Sequence, residues 1–188
     1  MAPTTLDPHT ALVIIDLQKG IVGLPGIPAI GDVIGHARAL ADAFRARGLP
    51  VVLVNVAGSA PGRTEQPPRQ TGPRPEDWTD FIPELDRQPE DIVVTKRTWG
   101  AFASTDLEAQ LKALGVTQVV IAGIATGTGV EATARQAYEQ GFNVTLAIDA
   151  MTDMRPEAHD YSISKVFPRL GETGATREIV DLLQTRSA

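Results

Sequence analysis

"IAGIATGTGVEATARQA", residues Ile121 to Ala137, passes from an apolar run through a turn of small residues into a stretch of helix formers. The apolar part reads as the end of a strand buried on both faces. Thr128 followed by Glu131 matches a capping box, which predicts a helix N-terminus at Gly129 and a helix running to Gln140, closed by Gly141. A strand-to-helix turn of this kind is where many α/β enzymes mount a nucleophile, and this one offers Thr126, Gly127, Thr128 and Gly129. Two readings stay open. The exposed N–H groups and the helix dipole favour an anion, or the small residues serve only the packing of an ordinary turn.

The same alternation extends outward in both directions. "HTALVIIDLQKG" holds the run Ala11 to Ile15, a buried strand that stops at Asp16. From Ile34 to Arg47, the residues Ile34, Ala37, Leu40, Ala41 and Phe44 fall at helical spacing, with Gly48 as the C-terminal cap. "LPVVLVNV" and "DIVVTKR" follow as strands, the second ending near Lys96, and "DLEAQLKALG" as a helix with Leu107, Leu111 and Leu114 on one face. After "TQVVIAGI" and the quoted turn, "NVTLAIDAM" reads as a fifth strand ending at Asp149, and "TREIVDLLQ" as a last helix. Strands alternating with helices imply right-handed crossovers and a mainly parallel sheet covered on both faces, here in a single domain spanning residues 1–188. Ligands of such sheets bind beyond the carboxyl ends of the strands. Asp16, Lys96, the 126–129 turn and Asp149 are therefore expected to converge.

Composition narrows the function. A net charge of -6 disfavours nucleic acid and anionic membrane as partners, and no apolar run reaches the roughly 20 residues of a membrane span. A cytoplasmic protein without signal segment is expected, with disorder confined to "MAPTT" and "QTRSA". The chain has no cysteine, which removes thiol nucleophiles and thiolate ligands together. His9, His36 and His159, assigned to a tail, a helix and a loop, show no metal-ligand spacing. No nucleotide-binding glycine signature is present, so no metal and no cofactor is expected. One segment breaks the rhythm: residues 57–91 hold seven of the fourteen prolines and the aromatics Trp78 and Phe81, as expected of a lid or a subunit contact.

Asp16 is the first candidate for chemistry, because a carboxylate at the end of a dry strand is partly desolvated and its pKa rises toward general acid or base duty. Its bland alternative is a turn cap. Lys96 could reach the same cleft, against the alternative of a solvated terminal lysine. Asp149 competes with an aspartate that merely opens a turn.

Three segments, "ALVIIDLQKG", "VVTKRTWGAF" and "VVIAGIATGTGVEATARQAYEQGFNVTLAIDAMTD", in that order across residues 11–153, resemble the isochorismatase-like hydrolase superfamily. The resemblance implies a flavodoxin-like, Rossmann-type three-layer α/β sandwich, a homo-oligomer, and a non-proline cis peptide at Ile124–Ala125. In that superfamily's cysteine hydrolases an aspartate, a lysine and a cysteine form the catalytic triad, and the matching positions here are Asp16, Lys96 and Gly129. The implied substrate-binding set is Gln18, Trp99, Phe102, Ala125, Thr128 and Gly129, with Trp99 and Phe102 on a substrate ring and Lys96 and the Gly129 turn on its carboxylates. A chain without a thiol cannot form a thioester. Isochorismatases proper also place glycine at that column and use the aspartate as an acid, which implies acid-catalysed hydrolysis of a small anionic substrate such as a vinyl ether. The chain departs from them at Ile124, Thr126, Thr98 and Trp99, where they carry an aromatic residue, histidine, arginine and tyrosine. The rival expectations are C–N hydrolysis by water that Asp16 activates, and a catalytically silent protein that binds a small molecule or a partner.

Overall fold

The computed structural model describes residues 3–66 and 73–185. Its strands are β1 (Thr10–Ile15), β2 (Val51–Val56), β3 (Ile92–Lys96), β4 (Gln118–Ile124) and β5 (Asn143–Thr152), formed by the apolar runs, and the short β6 (Glu172–Gly174). Its helices are α1 (Lys19–Val22), α2 (Ile30–Ala46), α3 (Leu107–Ala113), α4 (Glu131–Glu139), α5 (Pro156–Tyr161) and α6 (Thr176–Thr185), of which α2, α3, α4 and α6 come from the amphipathic stretches. All strand pairs are parallel, in the order β3-β2-β1-β4-β5-β6. The order reverses between β1 and β4, which opens a crevice at their carboxyl ends.

Strand alternation divides the core into two layers. Ala11, Val13 and Ile15 of β1 pack with Leu107 and Leu111 of α3 and with Ala134 and Ala137 of α4. Leu12 and Ile14 turn the other way, toward Leu40 and Phe44 of α2 and Ile179 and Leu183 of α6. The result is the three-layer α/β sandwich that the alternation of elements predicts.

Several local expectations differ from the structure. Helix α2 begins at Ile30 rather than Ile34, because Val33 joins its buried face. Leu114 lies past the end of α3 and is 51% exposed, so only Leu107 and Leu111 serve the core. Strand β5 runs on to Thr152, since its pairing with β4 jumps from Ile121↔Leu146 to Gly123↔Met151 and bulges out the residues between. The N-terminal stretch is anchored: the Thr4 amide and hydroxyl both donate to the Glu172 carboxylate, at 2.9 and 2.5 Å. Gln184 and Thr185 belong to α6, while residues 1–2 and 186–188 of the expected disordered ends lie outside the described residues. Helix α5 and strand β6 escaped the sequence reading because elements this short carry no periodicity.

Gly123 shows how tightly the crevice is built. It sits at φ 115, and a Cβ there would strike the Ile15 backbone of the neighbouring strand. Gly123→Ala is expected to destabilise the protein by at least about 2 kcal/mol, combining backbone strain with overpacking. Urea unfolding with an unchanged midpoint would contradict that packing.

Candidate active site

Asp16 follows β1 directly and takes a left-handed backbone, φ 54, which aims its side chain across the end of the sheet. Its Oδ2 accepts a hydrogen bond from Lys96 Nζ at 2.8 Å. Lys96, the last residue of β3, is 1% exposed and also donates to the Thr98 carbonyl at 3.3 Å. Asp16 Oδ1 is sealed by its surroundings and has no hydrogen-bond partner. Burial pushes the Asp16 carboxyl up to about 6, with the Lys96 ammonium pulling the other way. An unpaired buried carboxylate oxygen costs about 1–3 kcal/mol. Two costs, a strained backbone and an unsatisfied oxygen, thus meet at one residue in a crevice.

The strand-to-helix turn closes the other side. The peptide Ile124–Ala125 is cis, and residues 126–130 wind as a wide π-type turn in which Val130 N donates to Ala125 O at 3.1 Å. This overturns the expected capping box. Helical winding starts at Thr126 rather than Gly129, and the Glu131 carboxylate is spent on Arg135 and on Ser162 Oγ. The Gly127 N–H is capped by Asp153 Oδ2 at 2.8 Å, so a carboxylate of the chain itself occupies the anion position. Thr126 Oγ1 lies 2.8 Å from His159 Nδ1. His159 stands on α5 instead of in a loop, and burial lowers its pKa. Gly129 is closely walled: an added Cβ would stand 3.0 Å from the Ile124 carbonyl, 3.1 Å from Ile15 Cγ2 and 3.4 Å from Asp16 Oδ2.

Asp16, Ala125, Thr128, Thr152 and Asp153 line a cleft of about 120 Å³ whose remaining walls are mostly apolar, from Ile21, Leu24, Pro25, Ile124 and Met154. Drug-sized ligands occupy pockets of about 300–1,000 Å³, so this cleft admits a small group. A larger hollow of about 740 Å³ lies near the opposite end of β2 and β3, but its buried carboxylate, Asp91, is paired with the half-buried Arg45 at 2.6 Å. The buried carboxylate with an unpartnered oxygen, Asp16, lies at the β1/β4 crevice and not at this hollow.

Four expected site residues lie elsewhere. Gln18 is fully buried, with its amide donating to the Val56 and Trp78 carbonyls and accepting from Val56 N, so it is a strut with no group left for substrate. Phe102 packs in the core against Phe142, ring centroids 5.9 Å apart. Trp99 is 65% exposed and outside the cleft wall. Asp149, inside the β5 bulge, accepts from the amide and hydroxyl of Thr176 at the start of α6 and does not reach the cleft. Asp153 takes the strand-end position instead. It was hidden in the sequence because the bulge lengthens β5 past the apparent stop at Asp149.

The excursion spends its aromatics on its own chain. Trp78 is buried against Gly20 with the Arg74 guanidinium 4.1 Å from its ring centre, and Phe81 bridges to Gln18. Residues 77–81 thus lie over α1, residues 84–91 run along α2 through Arg38 and Arg45, and residues 67–72 of the excursion lie outside the described residues. Among the described residues, no helix is long and apolar enough to cross a membrane, and no cluster of histidine, aspartate and glutamate could hold a metal ion.

A doubly wound α/β sandwich with a buried aspartate–lysine pair facing a cis-peptide turn at its switch point defines an isochorismatase-like hydrolase. The isochorismatase domain model matches residues 10–178, and the chain belongs to the isochorismatase family. It is 42% identical over 178 residues to the uncharacterized isochorismatase family protein YwoC of Bacillus subtilis, covering 92% of this chain and 93% of that one. A solved isochorismatase family protein of Burkholderia thailandensis superposes with a TM-score of 0.92 at 43% identity, covering 98% and 100% of the two chains. Ureidoacrylate amidohydrolase RutB of Pantoea ananatis is 30% identical over 178 residues, 79% of this chain and 71% of its own.

Proposed function

We propose that the protein is a cysteine-independent hydrolase in which Asp16 delivers a proton to the leaving atom of a small substrate. The observation that carries this reading is the Asp16 carboxyl itself: buried, strained, held by Lys96 through one oxygen, and pushed up to about 6. At neutral pH about a tenth of such a group is protonated, and further desolvation by a bound substrate raises that share. Protonated Asp16 gives its proton to the leaving oxygen or nitrogen, water adds to the carbon left electron-poor, and the carboxylate recovers a proton from that water. Lys96 orients the carboxyl and stabilises the anion between turnovers.

An anionic substrate, as the resemblance implies, would meet a Lys96 ammonium already engaged by Asp16 and the Thr98 carbonyl and, two residues before Gly129, a Gly127 N–H engaged by Asp153. A second reading has its own support in the Lys96 contact, which favours the ionised carboxylate: Asp16 then takes a proton from water as it attacks a C–N bond. The two readings have opposite pH profiles. Acid catalysis predicts that kcat/KM falls as pH rises through about 6, and base catalysis that it rises through the same value. Steady-state hydrolysis measured from about pH 4.5 to about pH 8.5 separates them, and a flat profile would contradict both.

A further inference from the structure

Two carboxylates line the cleft, and only one has a cation within hydrogen-bond distance. Asp16 is matched by Lys96 at 2.8 Å. Asp153 comes from the end of β5, is 2% exposed, and is held by two backbone N–H groups, Gly127 at 2.8 Å and Arg155 at 3.0 Å. The Arg155 guanidinium stays 3.9 Å away and is half exposed. Among the described residues, no lysine or arginine lines the cleft. An ionised carboxylate has about four lone-pair sites, so Asp153 keeps acceptor capacity beyond its two backbone donors. The remaining walls are apolar apart from two threonine hydroxyls, Thr128 and Thr152, and the Thr152 hydroxyl already donates to the Pro28 carbonyl at 2.6 Å.

From this lining we infer that Asp153 is a specificity-determining residue: the cleft takes a small uncharged group bearing N–H or O–H donors, and Asp153 rejects carboxylates. The inference rests on the proposed active site, and adds the charge class of its substrate. Like charge in a poorly solvated cleft is a repulsive element against the wrong ligand, while a donor facing a buried carboxylate forms a charge-assisted hydrogen bond. The same carboxylate fixes the turn through Gly127, so ligand selection and turn geometry depend on one side chain.

Propionamide and propionate, nearly equal in shape and opposite in this respect, test the inference by binding alone. Backbone amide shifts of Gly127, Thr128 and Thr152 are followed in an NMR titration of the whole protein, so the result is independent of whether Asp16 catalyses anything. Propionamide is expected to bind at least about tenfold more tightly than propionate to the wild type. Asp153→Asn removes the negative charge and keeps an oxygen for the Gly127 N–H while giving up the bond to the Arg155 N–H, so the preference should shift toward propionate by about tenfold or more. Leu24→Arg, at a cleft wall residue already 43% exposed, leaves the turn untouched and should also raise propionate affinity. It keeps the test valid if the Asn variant folds poorly. A wild type that binds propionate as tightly as propionamide, or binds neither, overturns the inference, as does a Leu24→Arg variant with no gain for propionate.

Discussion

Asp16→Asn lowers kcat by about 10²- to 10⁴-fold while substrate still binds, the loss typical of removing a general acid or base. Asparagine keeps the shape of the side chain and can still face Lys96 through its amide oxygen, but it has no transferable proton at any working pH. The comparison requires turnover and affinity to be measured on the same preparation. Binding that survives while turnover disappears supports the proton-transfer role. An Asn variant as fast as the wild type would remove it, and a wild type that binds without turnover would establish the silent-binder alternative.

The second large effect belongs to Lys96→Met. Removing one partner of a buried ion pair costs about 3–5 kcal/mol, because the other charge is left uncompensated. Here the survivor can neutralise itself, and this makes the penalty depend on pH. Lys96 is what lowers the Asp16 pKa against burial, so without it the folded-state value moves above about 6, further from the ordinary 3.8. A carboxyl whose folded pKa is raised favours the folded state most when it is protonated, and loses that contribution as pH climbs from its unfolded value through its folded one. The methionine variant should therefore show its full loss at about pH 8.5 and a much smaller one at about pH 5, read from urea unfolding at both. Acid catalysis adds a kinetic consequence: whatever activity remains should persist to higher pH than in the wild type. A stability loss equal at both pH values would mean that Asp16 does not titrate between them.

What the sequence disclosed about this site follows from which signals are local. Asp16 and Lys96 stand where long apolar runs stop, and a parallel sheet brings such stops to one edge whatever their separation in sequence. The same logic failed at Asp149, because a bulge is set by pairing with β4 and leaves no mark in the composition of β5. Gln18 belongs to the set that the resemblance implies, yet its amide is consumed by backbone groups of Val56 and Trp78, partners 38 and 60 residues away. Phe102, which the resemblance assigns to a substrate ring, packs in the core against Phe142, a partner 40 residues on that no local signal announces. The fold, which depends on period and alternation, was legible almost throughout. The cleft wall, made by the tertiary meeting of the 21–26 segment with the ends of β4 and β5, was not.

Gly129 gains its meaning from the same packing. The position that holds a thiol in the cysteine hydrolases is bounded here by Ile124, Ile15 and Asp16 within 3.4 Å of any added Cβ. The proposed mechanism accordingly places the chemistry on the aspartate–lysine pair and gives Gly129 no part in it.

The most direct measurement is a carbon-detected NMR titration of the Asp16 carboxyl in the wild-type protein, assigned by its absence in Asp16→Asn. The proposed role predicts a midpoint near 6, coincident with the pH limb of kcat/KM. A midpoint near the ordinary 3.8, with a kinetic limb elsewhere, would contradict it.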